Sequence, residues 1–209
     1  MTSELIALTD PASPVAEAYR RLRANLTAAG KTMPLQAVLM AAAGPDDRKA
    51  QVVANLAVTF ARVGTRVVLV DCDLRRPAQH ALFGVDNTVG VAAALERADG
   101  PLPLQATAVP NLHVLPAGPA VDVPADLLAS PAMVALIGRL RGAADLLLFD
   151  APPIATATDA LELATRVDGV LLTVRAGHTR RGEAQRAREQ LAQVGARLLG
   201  AVMIDVAAE

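Results

Sequence analysis

The strongest constraint in this 209-residue chain is a repeated alternation: short, almost unbroken aliphatic runs are each followed by an amphipathic stretch of helical length. Runs of this kind fit strands buried on both faces, and the intervening stretches fit the helices that bury them, so the pattern predicts a doubly wound, mostly parallel α/β sheet. Strands are predicted at Gln36–Ala42, Arg66–Asp71, Asn111–Leu115, Leu146–Asp150, Gly169–Val174 and Leu198–Ile204. Helices are predicted at Ala50–Val63, Val91–Glu96, Ser130–Leu140, Ala157–Thr165 and Arg181–Val194. Gly64 and Gly195 stand just past a helix and just before a strand, where a left-handed cap favours glycine. The stretch Asp99–Pro110, with Gly100, Pro101, Pro103 and Pro110, reads as a surface connection.

Composition agrees with that architecture. The chain is 53% hydrophobic but only 2% aromatic, so alanine, valine and leucine must fill the core, as close helix-on-sheet packing permits. No apolar run approaches the ~20 residues needed to span a bilayer, which predicts a soluble domain. A net charge of −1 argues against a broad nucleic-acid surface. Met1-Thr-Ser-Glu4 has no secretory character, and a lone Cys72 suits a reducing cytoplasm. His80, His113 and His178 are scattered without the spacing of a zinc site.

Residues 1–34 stand apart as an N-terminal extension before a main domain of 35–206. Ser13 as cap and Pro14 as first helical residue open a helix predicted to run to Ala29, with Gly30 beyond it. Val15, Tyr19, Leu22 and Leu26 share one stripe at 100° per residue, predicted to dock this helix against the domain. Glu17, Arg20 and Arg23 form a separate polar face. Taken alone, it reads as a solvated charged surface.

The loop after the first strand, Ala43-Gly44-Pro45-Asp-Asp-Arg48-Lys49-Ala50, occupies the place of a phosphate-binding P-loop. Such a loop needs glycines that bring backbone N–H groups to the phosphates, a lysine, and a Ser/Thr hydroxyl for Mg²⁺. Only Lys49 meets those needs. The next strand ends in Asp71-Cys72-Asp73, followed by Arg75 and Arg76, and another ends in Asp150-Ala-Pro-Pro153. Three carboxylates at the carboxyl ends of parallel strands, beside a P-loop-like turn, point to Mg²⁺ and proton-transfer chemistry on the edge where doubly wound sheets bind ligands.

Five ordered segments then carry a resemblance: Ser13 to Asn25, Ala54-Asn-Leu-Ala57, Val68 to Pro77, Pro124-Ala-Asp-Leu-Leu-Ala-Ser130 and Phe149-Asp-Ala-Pro-Pro153. Together they resemble the bacterial tyrosine kinases of capsule and exopolysaccharide systems (BY-kinases), a P-loop family related to the MinD/ParA ATPases. The resemblance covers about residues 13–204. It implies ATP and Mg²⁺ as cofactors, with Gly44, Pro45, Arg48, Lys49 and Ala50 at the nucleotide and Lys49 on its phosphates. It also implies Asp71, Asp73 and Lys49 as catalytic groups, with Asp71 and Asp150 handling the metal. Glu17, Arg20 and Arg23 would join copies into a ring or filament, and a membrane polysaccharide copolymerase would be the partner.

The departures from that family are specific. Where it reads Pro-Gly-Glu-Gly-Lys-Ser/Thr, this chain reads Pro45-Asp46-Asp47-Arg48-Lys49-Ala50, losing two glycines and the metal-binding hydroxyl. The family's tail is rich in tyrosines, whereas Tyr19 is the only tyrosine of this sequence, which closes on Val206-Ala-Ala-Glu209, so it is not expected to be its own tail substrate. The expected function is therefore a degenerate, weak or inactive kinase-like protein acting as an oligomeric scaffold or regulator of polysaccharide export. One alternative is an active kinase in which Arg48 and Lys49 both neutralise phosphates. The other is a MinD/ParA-like positioning ATPase, expected to carry a second lysine five residues before Lys49, where Gly44 stands.

Overall fold

The computed structural model describes residues 5–45, 48–97 and 100–206. Asp46, Asp47 and Asp99, named above, lie outside the described residues. The strands are β1 (Ala37–Ala42), β2 (Val67–Asp71), β3 (Gln105–Ala106), β4 (Leu112–Leu115), β5 (Leu146–Asp150), β6 (Gly169–Arg175) and β7 (Leu198–Ile204). The helices are α1 (Ile6–Thr9), α2 (Pro14–Thr32), α3 (Lys49–Ala61), α4 (Gln79–Phe83), α5 (Val91–Glu96), α6 (Pro124–Ala129), α7 (Pro131–Ala143), α8 (Asp159–Ala164) and α9 (Arg181–Gln193).

One sheet runs in the order β3-β4-β2-β5-β1-β6-β7, and every pairing is parallel except β3 with β4. All six predicted strands are present. The seventh, β3, lies inside the stretch read as a plain surface connection and corrects that reading. Two residues flanked by prolines at 101, 103 and 110 carry no periodicity to betray them.

Because successive strand residues face opposite sides, the aliphatic runs feed two cores. In β1, Ala37, Leu39 and Ala41 pack into one cluster, with α5, α7, α8 and α9. Val38 and Met40 enter the other, shared with α2 and α3. α3 lies almost wholly inside the second, with Val53, Ala54, Leu56, Ala57 and Val58 buried.

α2 starts as predicted, with Ser13 Oγ accepting from the Ala16 N–H at 3.1 Å, but it runs three residues past Ala29 and takes Gly30 within it. Tyr19, Leu22 and Leu26 of the predicted stripe pack on the core. Val15 does not, being 53% exposed, and Ala16 is the buried residue of that first turn. Gly64 and Gly195 adopt φ of 90° and 69°, the left-handed caps that the sequence requires.

The amino ends of the strands are tied by polar groups. Asp168 accepts from the backbone N–H groups of Gln36 and Ala37 at 2.8 and 2.7 Å and pairs with Arg141 at 2.6 Å. Gln36 Nε2 donates to the carbonyls of Arg141 and Ala144, and Arg66 pairs with Asp145. The carboxyl ends of β1, β2 and β5 open onto the loops considered next.

Candidate nucleotide-type site

Lys49 is the first residue of α3, and Arg48 caps that helix in the left-handed conformation, φ 49° and ψ 20°. A left-handed residue here is what a phosphate-binding turn demands and what glycine supplies without strain. Arginine in its place keeps the turn at a cost of about 1–2 kcal/mol. The Arg48 guanidinium reaches Asp205, past β7, with Nη1 3.6 Å from Oδ1.

Asp71 and Asp150 end β2 and β5 and are partners in register, so two buried carboxylates face one another across the sheet. The Lys49 side chain, 4% exposed, forms an ion pair with Asp150 and lies 3.8 Å from Asp73 Oδ2. Burial, then the charge of Asp150, pushes Asp71 up to about 7, although it accepts from the backbone N–H groups of Gln79 and Ala78. Burial also raises Asp73, with Lys49 opposing it. Cys72 between them is fully buried, and burial followed by the three neighbouring acids holds its thiol well above the ordinary range, so it is no nucleophile.

Gln79 belongs to no motif in the sequence. Its side chain is completely buried, and Nε2 donates both to Asp150 Oδ2 at 2.7 Å and to the Ala50 carbonyl at 3.0 Å. It therefore ties the first turn of α3 to the end of β5. Arg75 is likewise committed, gripping the buried Asp159 through two hydrogen bonds of 2.9 and 3.1 Å.

Above these groups lies a cavity of about 390 Å³, with walls from Pro45, Arg48, Lys49, Ala50, Asp73, Arg76 and the Pro152-Pro153 turn. Most of the predicted nucleotide residues thus meet at one place. Gly44 is set off from it, nearest Thr179 and Glu183, and Asp71 and Asp150 are not on its walls. Glu17, Arg20 and Arg23 lie elsewhere, on α2. There Arg20 donates to Glu17 and the Pro11 carbonyl, and Arg23 donates to the Thr59 carbonyl of α3.

The acids of the site are engaged within the protein. All six oxygens of the three acids already face a partner. Asp71 Oδ1 accepts from Asp73 N–H, and its Oδ2 accepts from the two amides named above. Asp150 holds Lys49 and Gln79, while Asp73 holds the Arg76 N–H and faces Lys49. Ala50 offers no oxygen on its side chain. Among the described residues, no three His, Cys, Asp or Glu side chains are grouped to hold a metal ion.

A parallel, doubly wound sheet with a strand-turn-helix lysine and acids at the neighbouring strand ends defines the P-loop NTPase class. The MinD septum-site protein of Pyrococcus horikoshii, solved with Mg-ADP, shares this fold, with a TM-score of 0.68 at 22% identity over 81% of this chain and 70% of that one. The kinase domain of the Escherichia coli tyrosine kinase ETK superposes with a TM-score of 0.93 at 28% identity, covering the whole chain and 82% of that domain. The Bacillus subtilis tyrosine-protein kinase YwqD is 38% identical over 204 residues, 97% of this chain and 86% of its own. No family model matches the sequence. The chain belongs to the bacterial tyrosine-protein kinases. Among the described residues, no helix is long and apolar enough to cross a membrane.

Proposed function

We propose that this protein is a degenerate member of its family, a kinase-like P-loop protein that serves capsule or exopolysaccharide export as an oligomeric scaffold or regulator. It would work on the cytoplasmic side with a membrane copolymerase as partner. One observation carries this reading: the carboxylate oxygens that would handle Mg²⁺ are satisfied within the protein by Lys49, Gln79 and backbone amides. Opening the site would mean breaking a buried ion pair, and removing one partner of such a pair costs about 3–5 kcal/mol. Arg48 and Ala50 withdraw two further contributions, a bare glycine turn and a metal-binding hydroxyl.

The test is calorimetric titration with ATP, with and without Mg²⁺. The unaltered protein is expected to give no saturable heat. Asp46→Gly, Arg48→Gly and Ala50→Ser together are expected to restore measurable Mg·ATP affinity. Micromolar binding by the unaltered protein would overturn the reading in favour of an active kinase using Arg48 and Lys49 as a two-cation clamp.

Self-association through α2 belongs to the same proposal. The contact would be heterologous, closing into a ring or extending as a filament. Charge reversal of Arg20 and Arg23 is expected to lower the assembled mass in light scattering, and an unchanged mass would count against this role.

A further inference from the structure

A second cavity, of about 250 Å³, lies far from the P-loop-like turn, where α1, α2 and α3 meet, and arginines dominate its polar lining. Arg20 and Arg23 reach it from α2 and Arg62 from the end of α3, with Ala7, Ala16 and Thr59 completing much of the wall. Each guanidinium is held in place by a neutral acceptor. Arg20 donates to the Pro11 carbonyl, Arg23 to the Thr59 carbonyl and Arg62 to the Ala7 carbonyl, each at 2.7 Å. Backbone carbonyls orient a guanidinium but do not cancel its charge.

Glu17 is the one carboxylate among the described residues within 4 Å of any of the three, and it pairs with Arg20 at 2.5 Å. Two positive charges, on Arg23 and Arg62, thus remain without an acidic neighbour around one concavity. Ala16, in the first turn of the 19-residue α2, brings the positive end of that helix to the same wall. Arg23 and Arg62, each anchored by one N–H and retaining others, match the oxygens of a tetrahedral oxyanion, which accepts several hydrogen bonds at once, while Arg20, engaged with Glu17 and the Pro11 carbonyl, adds its charge to the same wall. The volume falls short of the ~300–1,000 Å³ of sites for drug-sized ligands. It suits a compact anion.

We infer that this junction is a binding site for a small phosphate-type anion, held by Arg20, Arg23 and Arg62. The inference does not rest on the state of the P-loop-like turn. A bound anion would join α1, α2 and α3 through a single ligand, because Arg20 and Arg23 stand on α2, Arg62 follows α3, and their carbonyl partners lie on α1, on α3 and in the turn between α1 and α2.

The experiment is calorimetric titration of the full chain with inorganic pyrophosphate in a chloride buffer, at two protein concentrations. Saturable binding of one anion per chain is expected at both. Arg23→Gln with Arg62→Gln is expected to weaken it at least ten-fold, whereas Arg48→Gln with Arg76→Gln, on the other cavity, should leave it within two-fold. Circular dichroism checks that the variants fold. Should the double variant fail to, Arg62→Gln alone, altering an exposed side chain, is expected to weaken binding several-fold. No saturable heat, equal affinity in the α2–α3 variants, loss in the Arg48/Arg76 variant, or binding confined to the higher protein concentration would each overturn the assignment.

Discussion

Arg48 Nη1 stands 3.6 Å from Asp205 Oδ1, so the residue that replaces a loop glycine is joined to the chain just past the last strand. Asp205 is also held by Arg175 at 2.7 Å, making a small acid-centred cluster on the rim of the sheet. Both ends of the Arg48 contact are partly exposed, so the pair contributes at most about 1 kcal/mol. That is comparable to the cost of placing arginine at φ 49°. Arg48→Ala keeps the strain and loses the pair, and urea unfolding is expected to show a loss of about 1 kcal/mol. Arg48→Gly loses the pair and sheds the strain, and is expected to unfold within about 0.5 kcal/mol of the parent.

Lys49 has a structural weight that an ordinary ligand-binding lysine lacks. Removing its amine leaves Asp150 and Asp73 buried against each other without a cation. Lys49→Met is therefore expected to destabilise the protein by about 3 kcal/mol or more in denaturant titration. A loss below ~1 kcal/mol would show that the ion pair does not hold the site closed.

The pH dependence follows from Asp71. Its folded pKa of about 7 lies above the ordinary carboxylate value of 3.8, so between those values the folded state binds the proton and the unfolded state does not. Stability from this group is full below about pH 4 and is lost as pH rises through 7. Thermal unfolding followed from pH 4.5 to 8 is expected to show the stability of the parent falling by a few kcal/mol relative to that of Asp71→Asn. A parent curve parallel to that of the variant would place the Asp71 pKa near its unfolded value.

Gly90, at the start of α5, is required by space rather than by dihedral angle. A Cβ there would sit 2.1 Å from the Pro116 carbonyl oxygen and 2.4 Å from the Gly118 nitrogen, both backbone atoms. Gly90→Ala is expected to cost about 3 kcal/mol or more, since neither neighbour can turn aside. Gly138→Ala, on α7 with nothing within 4 Å of the added atom, is expected to be neutral or stabilising.

The residues made the sheet legible because a strand buried on both faces has to be aliphatic along its length. Val67–Asp71 and Leu146–Asp150, buried throughout, therefore announced themselves to within a residue, whereas Leu198–Ile204, read as buried on both faces, is an aliphatic edge strand that is only partly buried. β3 and the helices α1 and α4 did not, because elements of two to five residues hold too few positions for a period to repeat, and the six-residue α6 was not read as a helix either. Asp71, Asp73, Asp150 and Lys49 were recoverable as a group because a strand end in a parallel sheet is a fixed place. Gln79 was hidden because its role depends on distance across three elements, from α4 to Ala50 and Asp150. The buried Asp159 beneath Arg75 was hidden for the same reason, as the two stand 84 residues apart.

The Asp168, Arg141 and Gln36 cluster at the amino ends of β1, β5 and β6 has a consequence for how this chain can change. Strand order and register are fastened at one rim of the sheet by bonds that involve none of the loops at the opposite rim. A substitution such as glycine to arginine at 48 then strains one turn without unfastening the scaffold. The molecule can thus absorb change at one rim while the other rim and the surfaces it carries stay in place.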